Sequence, residues 1–331
     1  MQLKNDDTFC EQKIRTLLQT HLQNTHGKVT FVQAVGGAHP PRNSNLRHYN
    51  YDAAISFANG VNAFLQDEPS RAGSTLVQLS SAAAEWLEDD YGLTKRETDQ
   101  KLTTSSDFSN IDHIFALRIG YVVGNLKEVP SKIHPFTPQE LIKHSLVHPI
   151  IVQKGREPKF HPIHVNDIAE AILKTHQLSE KKDQQTRKIV NVTGSQEYSQ
   201  SAFFQEYANI IGRKLVPLPI TADFFEKVAK YHPSGHIAPY AAEYAKLEGN
   251  TKLDNSEFQK LLGRELTPLN AVGEKTERSD FFIPNPFFRY IPTVIKKIIL
   301  EKKTRDATLT PFISVGFRAT KTYLRAKLGL K

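Results

Sequence analysis

The chain has 331 residues, 39% hydrophobic and 24% charged, a globular balance that excludes wholesale disorder and a length that suits about two domains. No run approaches the roughly 18 apolar residues of a membrane-spanning helix, and the opening residues lack the basic-then-apolar pattern of a secretory signal. Cys10 is the only cysteine, which excludes an internal disulfide and any multi-cysteine zinc site and allows a reducing, cytoplasmic setting. The formal net charge is +8, but Phe281 to Lys331 holds 11 Lys and Arg against two acids, Glu301 and Asp306, so the body is near neutral and the tail carries the excess.

Residues 11–24 read as a helix, with Ile14, Leu17, Leu18 and Leu22 on one side. KVTFVQAVGG, from Lys28, reads as a buried strand ending in glycines. Residues 51–66 predict a helix with Ala54, Ile55, Ala58, Val61, Ala63 and Leu65 on its apolar face. STLVQLSSA is a second strand, ending in Ser80 and Ser81. A polar helix follows from Tyr91 to about Leu102, then a third strand, IFALRIGYVVG, and a helix around 138–147. This alternation predicts parallel strands joined by crossover helices, with functional loops at the strand C-termini. FHPIHVNDIAEAILKTHQL passes from an extended run into a helix, where Asp167 and Glu170 fit a capping box. RKIVNVTG is a further strand, and Ser199 caps a helix running to about Ile211. Four prolines between 217 and 252 suggest a mixed lobe, and the region around Pro284 looks like a domain edge.

The sharpest local feature is Ser80-Ser81 at a strand end followed by Tyr91-Gly-Leu-Thr-Lys95 opening a helix. Tyr91 and Lys95, four residues apart, share a helix face. An ammonium beside a phenol stabilises the phenolate and brings proton transfer within reach of working pH. A serine hydroxyl from the neighbouring strand can hydrogen-bond a substrate oxygen there. By itself the Tyr-x-x-x-Lys spacing is weak: Tyr323 and Lys327 repeat it in the tail, without the strand. The competing reading makes Tyr91 and Lys95 part of a solvated helix face, with Glu97 and Asp99 nearby.

VTFVQAVGG, LVQLSSAA, YGLTKRETDQKL, FALRIGYVVGN, FHPIHVNDIAEAI and IVNVTGSQEYS together carry a resemblance. In this order they resemble the short-chain dehydrogenase/reductase superfamily, and most its extended and atypical branches, the NAD-dependent epimerase/dehydratase-like proteins, over roughly residues 28–270. The resemblance implies an α/β, Rossmann-like parallel sheet with a smaller C-terminal substrate lobe, and NAD or NADP as cofactor. It implies Tyr91 as the catalytic acid/base, Lys95 tuning it and holding the nicotinamide ribose, and Ser81 orienting the substrate, with Ser80 as the alternative. Ala34, Val35, Gly36, Ser80, Arg118, Ile119 and Gly120 would lie along the cofactor. Ile119 stands where many relatives place a proline, and Tyr91 follows Ser81 by only ten positions.

One departure stands out. The family grips its cofactor with a Gly-x-x-Gly-x-x-Gly turn after the first strand, where a helix N-terminus faces the pyrophosphate. Nothing like it precedes Lys28, and the family's first three strands and helices would need roughly sixty residues before that point. The expected sheet therefore lacks its first strands and leaves strand 28–35 as an exposed edge. Three explanations stay open: an incomplete enzyme, a degenerate relative that binds without catalysis, or a partner chain that completes the sheet. The domain expectation is 1–160 for the truncated Rossmann-like part, 161–280 for the mixed region with the substrate lobe, and 281–331 for the tail.

Other candidates are weaker. His161, His164 and Asp167 lack a regular element to converge them on a metal, and no metal is expected. His39, Arg42 and Arg47 sit in a polar loop, and Trp86 beside Glu88, Asp89 and Asp90 either shapes a rim or simply packs. The tail segment FFIPNPFFRYIPTVIKKIILEKK suits an amphipathic segment on an anionic membrane surface, or a packed C-terminal helix with its lysines in water. Its base is interleaved with aliphatics, which argues against nucleic acid as a partner. A small-molecule substrate with a hydroxyl or carbonyl is the expected ligand.

Overall fold

The computed structural model describes residues 11–34, 36, 45–87, 89–123, 147–152, 157, 159–181, 185–210, 216–221 and 253–269. The basic tail, most of the predicted 138–147 helix, and Val35, His39, Arg42 and Glu88 lie outside these residues. Two compact units interleave along the chain. The first comprises Met1–Val129, Lys159–Tyr198 and Asn250–Glu274, and the second Pro130–Pro158, Ser199–Gly249 and Lys275–Lys331.

The first unit is built on a four-stranded parallel sheet of β1 (Thr30–Gln33), β2 (Thr75–Ser81), β3 (His113–Ile119) and the later β8 (Thr186–Val192), in the order β1-β2-β3-β8. Among the described residues, β1 is one edge of this sheet. Side chains alternate between two cores. Phe31, Leu76 and Ile114 face α2 (Ala53–Asp67) and the Leu102 end of α4 (Asp90–Thr104). Val77, Phe115, Leu117, Val190 and Val192 face α5 (Val165–Lys181) and α7 (Ser256–Leu262). Helices on both faces of a parallel sheet make the doubly covered α/β architecture that the alternating elements predict.

Helix α1 (Glu11–Leu22) lies against α2 through Ile14. A Cβ on Gly60 would sit 2.6 Å from the Ile14 side chain, so glycine sets the closeness of that crossing. Arg71, 4% exposed, donates to the carbonyls of Leu22, Thr25 and Gly27 and closes the C-terminal end of α1.

Two short strands, β4 (Val122–Val123) and β7 (Ile163–His164), pair in parallel beyond β3. Helix α5 starts two residues before the predicted cap. Asp167 lies in its first turn, accepting from Thr267 N at 2.8 Å, Thr267 Oγ1 at 2.6 Å and Arg264 Nη2 at 2.7 Å, while Glu170 also binds Arg264. Burial works to raise the Asp167 carboxyl, yet the bonds from Thr267 and Arg264 hold it below the usual range. The pair reads as a capping box in sequence because the same acids that cap helices also anchor a distant segment.

In the second unit, β5 (Val147–Val152) pairs in parallel with β10 (Val216–Thr221), and α6 (Gln200–Ile210) packs on β5. The lobe prolines do not prevent the strand. Pro217 and Pro219 occupy alternate positions of β10, so both missing N–H groups fall on the same edge. Ser199 Oγ accepts from Ala202 N at 3.2 Å, the expected cap on α6. Two further short strands, β6 (Lys159–Phe160) and β9 (Tyr198–Ser199), complete the described strands. Among the described residues no helix is long and apolar enough to cross a membrane.

Candidate active site

The C-terminal end of β2 runs through Ser80 and Ser81 into the one-turn α3 (Ala83–Trp86) and then α4. Ser81 Oγ accepts from Ala83 N at 3.2 Å, which turns the chain. Asp89 caps α4 by accepting from Gly92 N at 2.9 Å. A Cβ at Gly92 would meet Leu87 O at 2.3 Å and Ala83 O at 2.9 Å, so the glycine after Tyr91 lets α4 press against the α3 turn. Arg96 Nε donates to Ala84 O at 2.7 Å and fastens the same contact. This packing accommodates the short Ser81-to-Tyr91 gap.

Lys95 is 3% exposed, and its Nζ lies 6.0 Å from the centre of the Tyr91 ring. Burial lowers its pKa to about 8, opposed by the charge of Asp99. The solvated-face reading of this helix is therefore wrong for two of its members: Lys95 is buried and Asp99 is 0% exposed. It holds for Glu97, which pairs at the surface with Arg47, while the Arg47 guanidinium lies 4.3 Å from the Tyr51 ring centre.

Asp99 Oδ2 accepts from Arg118 Nε at 2.8 Å, and Arg118 Nη1 reaches Glu85. Arg118 thus sits in two ion pairs at the end of β3, opposite Ser80 in the register. Burial pushes the Asp99 carboxyl above its ordinary range, against the pull of Arg118, Ser80 and Lys95. The Ser80 hydroxyl, 7% exposed, faces Asp99 without reaching hydrogen-bonding geometry.

Gly36 approaches from the end of β1 with φ +127, a conformation that favours glycine. A Cβ there would fall 2.7 Å from Lys95 Nζ and 2.7 Å from Asn50 Oδ1. Asn50 is 0% exposed and belongs to a π-helical turn, His48–Asp52, that runs into α2. Such turns are frequent at functional sites. Thr98 Oγ1 donates to Asn50 O at 3.4 Å and ties that turn to α4.

Tyr91, Lys95, Ser80, Arg118 and Gly36 thus gather around one end of the sheet, with Ser81 at the same strand end. Ala34 is exposed beside β1. Ile119 and Gly120 are held as backbone: Ala82 N donates to Ile119 O and Gly120 N to Val192 O, each at 2.9 Å. Sequence reasoning misses Asn50, for which no spacing signal exists, and misplaces Asp99, whose position four residues after Lys95 is the signal that places it on the same face. His161, His164 and Asp167 are engaged separately: His161 Nε2 lies 3.5 Å from Glu197, His164 Nδ1 accepts from Asn166 N, and Asp167 holds the Thr267 segment. Among the described residues no cluster suited to a metal ion is present.

No protein-family model matches the chain, and no curated protein matches it. Solved structures do. A UDP-glucose-4-epimerase from Stenotrophomonas maltophila, with bound NAD and formylated UDP-arabinopyranose, is 14% identical with TM-score 0.55, covering 89% of this chain and 83% of that one. A UDP-glucuronic acid 4-epimerase from Bacillus cereus, in complex with UDP-glucuronic acid and NAD, is 12% identical with TM-score 0.52, covering 78% and 75%. A Citrobacter sp. triphenylmethane reductase complexed with NADP(H) is 17% identical with TM-score 0.51, covering 80% of each. The fold is the Rossmann-like fold that these epimerases and reductases share.

Proposed function

We propose that the chain belongs to the extended short-chain dehydrogenase/reductase superfamily and is an NAD(P)-linked oxidoreductase or epimerase acting on a hydroxyl or carbonyl group. The observation that carries the proposal is the buried Lys95 ammonium beside the Tyr91 ring, with the Gly36 backbone packed so closely on Lys95 Nζ and Asn50 Oδ1 that a Cβ would clash with both. An ammonium and the Asn50 amide beside a close backbone turn are the donor groups that the ribose hydroxyls of a dinucleotide would need.

A nicotinamide bound there supplies the hydride acceptor or donor. Tyr91 moves the proton at the substrate oxygen: its phenolate takes the proton from an alcohol, or its phenol gives it to a carbonyl. Lys95, when charged, stabilises that phenolate. The serine pair at the end of β2 supplies a hydroxyl to orient the substrate oxygen, Ser81 first and Ser80 as the alternative. Ala34, Ile119 and Gly120 contribute backbone along the cofactor. Arg118, committed to two carboxylates, acts on the site through them.

A second reading follows from β1. As an edge of the described sheet, with Val32 40% exposed, it suits a relative that binds a partner strand without turnover. Titration of the chain with NADH and NADPH separates the two. The enzyme reading predicts saturable binding, weakened by Tyr91→Phe and more so by Lys95→Ala. No binding at millimolar cofactor leaves the binding-protein reading.

A further inference from the structure

We propose that Asp99 is a positioning residue for the Tyr91–Lys95 pair: its carboxylate, clamped by Arg118, is the counter-charge that holds the Lys95 ammonium beside the phenol. Its catalytic meaning rests on the proposed oxidoreductase reading, but the charge coupling of Asp99 to Lys95 does not.

The argument begins with helix geometry. Asp99 follows Lys95 by four residues, so both side chains leave α4 on the same face. Both are buried, at 0% and 3% exposure. An isolated buried lysine sheds its proton, because a low dielectric disfavours the charged form. A neighbouring carboxylate reverses part of that effect. The carboxylate itself must then be kept ionised in the same surroundings, and Arg118 does this from β3 at 2.8 Å. Glu85, from α3, balances the remaining charge on Arg118.

The Arg118 ion pair uses one carboxylate oxygen of Asp99 and leaves the other out of it. Among the described residues, Asp99 Oδ1 is buried without a hydrogen-bond partner, and so is Ser80 Oγ. Here the open oxygen has the Ser80 hydroxyl and the Lys95 charge as neighbours. The groups around Lys95 are Tyr91 and Asp99 from its own helix, Asn50 from the π-helical turn and the closely packed backbone of Gly36. Arg118 from β3 and Glu85 from α3 reach it through Asp99. Among the described residues, Asp99 is the single acid whose charge acts on the ammonium. Burial takes Lys95 down to about 8, and the Asp99 charge is what resists a further fall.

The test reads Lys95 directly. Protein labelled with 13C-lysine is titrated by NMR, and the Lys95 signal is assigned by its loss in Lys95→Met. The wild-type midpoint is expected near pH 8. Asp99→Asn should lower it by about one pH unit or more, and Asp99→Glu should restore most of the shift. Asp99→Ser keeps an acceptor for Arg118 in a smaller side chain and carries the same prediction if the asparagine variant does not fold. An unmoved midpoint in a folded neutral variant overturns the proposal. A parallel NADH titration of the wild type separates the two readings. A shifted Lys95 without cofactor binding upholds the coupling of Asp99 to Lys95 and removes the enzyme reading. Cofactor binding with an unmoved midpoint does the reverse.

Discussion

Helices α2 and α4, each fifteen residues long, lie on the same face of one sheet and bury opposite chemistries. From α2 the interior receives Ala54, Ala58, Val61, Phe64 and Leu65. From α4 it receives Thr94, Lys95, Thr98 and Asp99, with Leu102 alone joining the apolar core. The difference follows the sheet. The core lies under β1, β2 and β3 toward their N-terminal ends, at Phe31, Leu76 and Ile114. At the C-terminal ends of β2 and β3 the same face presents Ser80 and Arg118. One helix stabilises the fold by removing apolar surface from water. The other spends stability on buried charge, the pattern that the proposed function assigns to the site.

Three substitutions sharpen or break that contrast. The largest effect belongs to α2. Phe64 is 1% exposed and meets Phe31 edge-to-face at 6.1 Å, so Phe64→Ala should cost about 3–5 kcal/mol in urea unfolding. A cost under about 1 kcal/mol would mean that α2 does not carry the core.

The next effect has the opposite sign and depends on pH. Lys95 falls from 10.5 to about 8 on folding. Between those values the unfolded chain binds more protons than the folded one, so stability rises with pH across that window. Relative to Lys95→Met, the wild type should gain about 3 kcal/mol between pH 7 and pH 11, and at pH 7 the variant should be the more stable or equal. Parallel pH profiles for the two proteins would show that Lys95 keeps its ordinary pKa and that α4 holds no special charge.

The smallest of the three is Gly36→Ala. Its Cβ meets Lys95 Nζ and Asn50 Oδ1 at 2.7 Å in a left-handed backbone. A destabilisation of about 1–3 kcal/mol is expected, with weakened cofactor binding. Unchanged binding would place the ligand elsewhere.

The contrast between the helices also shows what was legible in the sequence. Strong periodicity reveals α2, because hydrophobic burial writes itself as spacing. The strands are legible for the same reason, in runs such as FALRI and LVQL. Helix α4 lacks an apolar face, so its polarity reads equally well as a solvated surface, and only the preceding serine-tipped strand points to a site. The burial of Asp99 depends on Arg118, nineteen residues further on in the next strand, and no local pattern encodes that pairing. Asn50 becomes visible only once β1 brings Gly36 against it. Strand β10 is hidden by prolines whose harmlessness depends on which edge faces β5.

The chain contains one tryptophan, Trp86, on the turn that packs against α4. It offers a direct reporter for the claim that α4 forms a dinucleotide site. NADH added to the intact chain should quench Trp86 emission saturably and gain sensitised emission of its own. Lys95→Met, with unchanged circular dichroism, should lose most of that signal. Saturable transfer lost with Lys95 is the predicted result; no saturable transfer from a folded wild-type chain at millimolar NADH would contradict it.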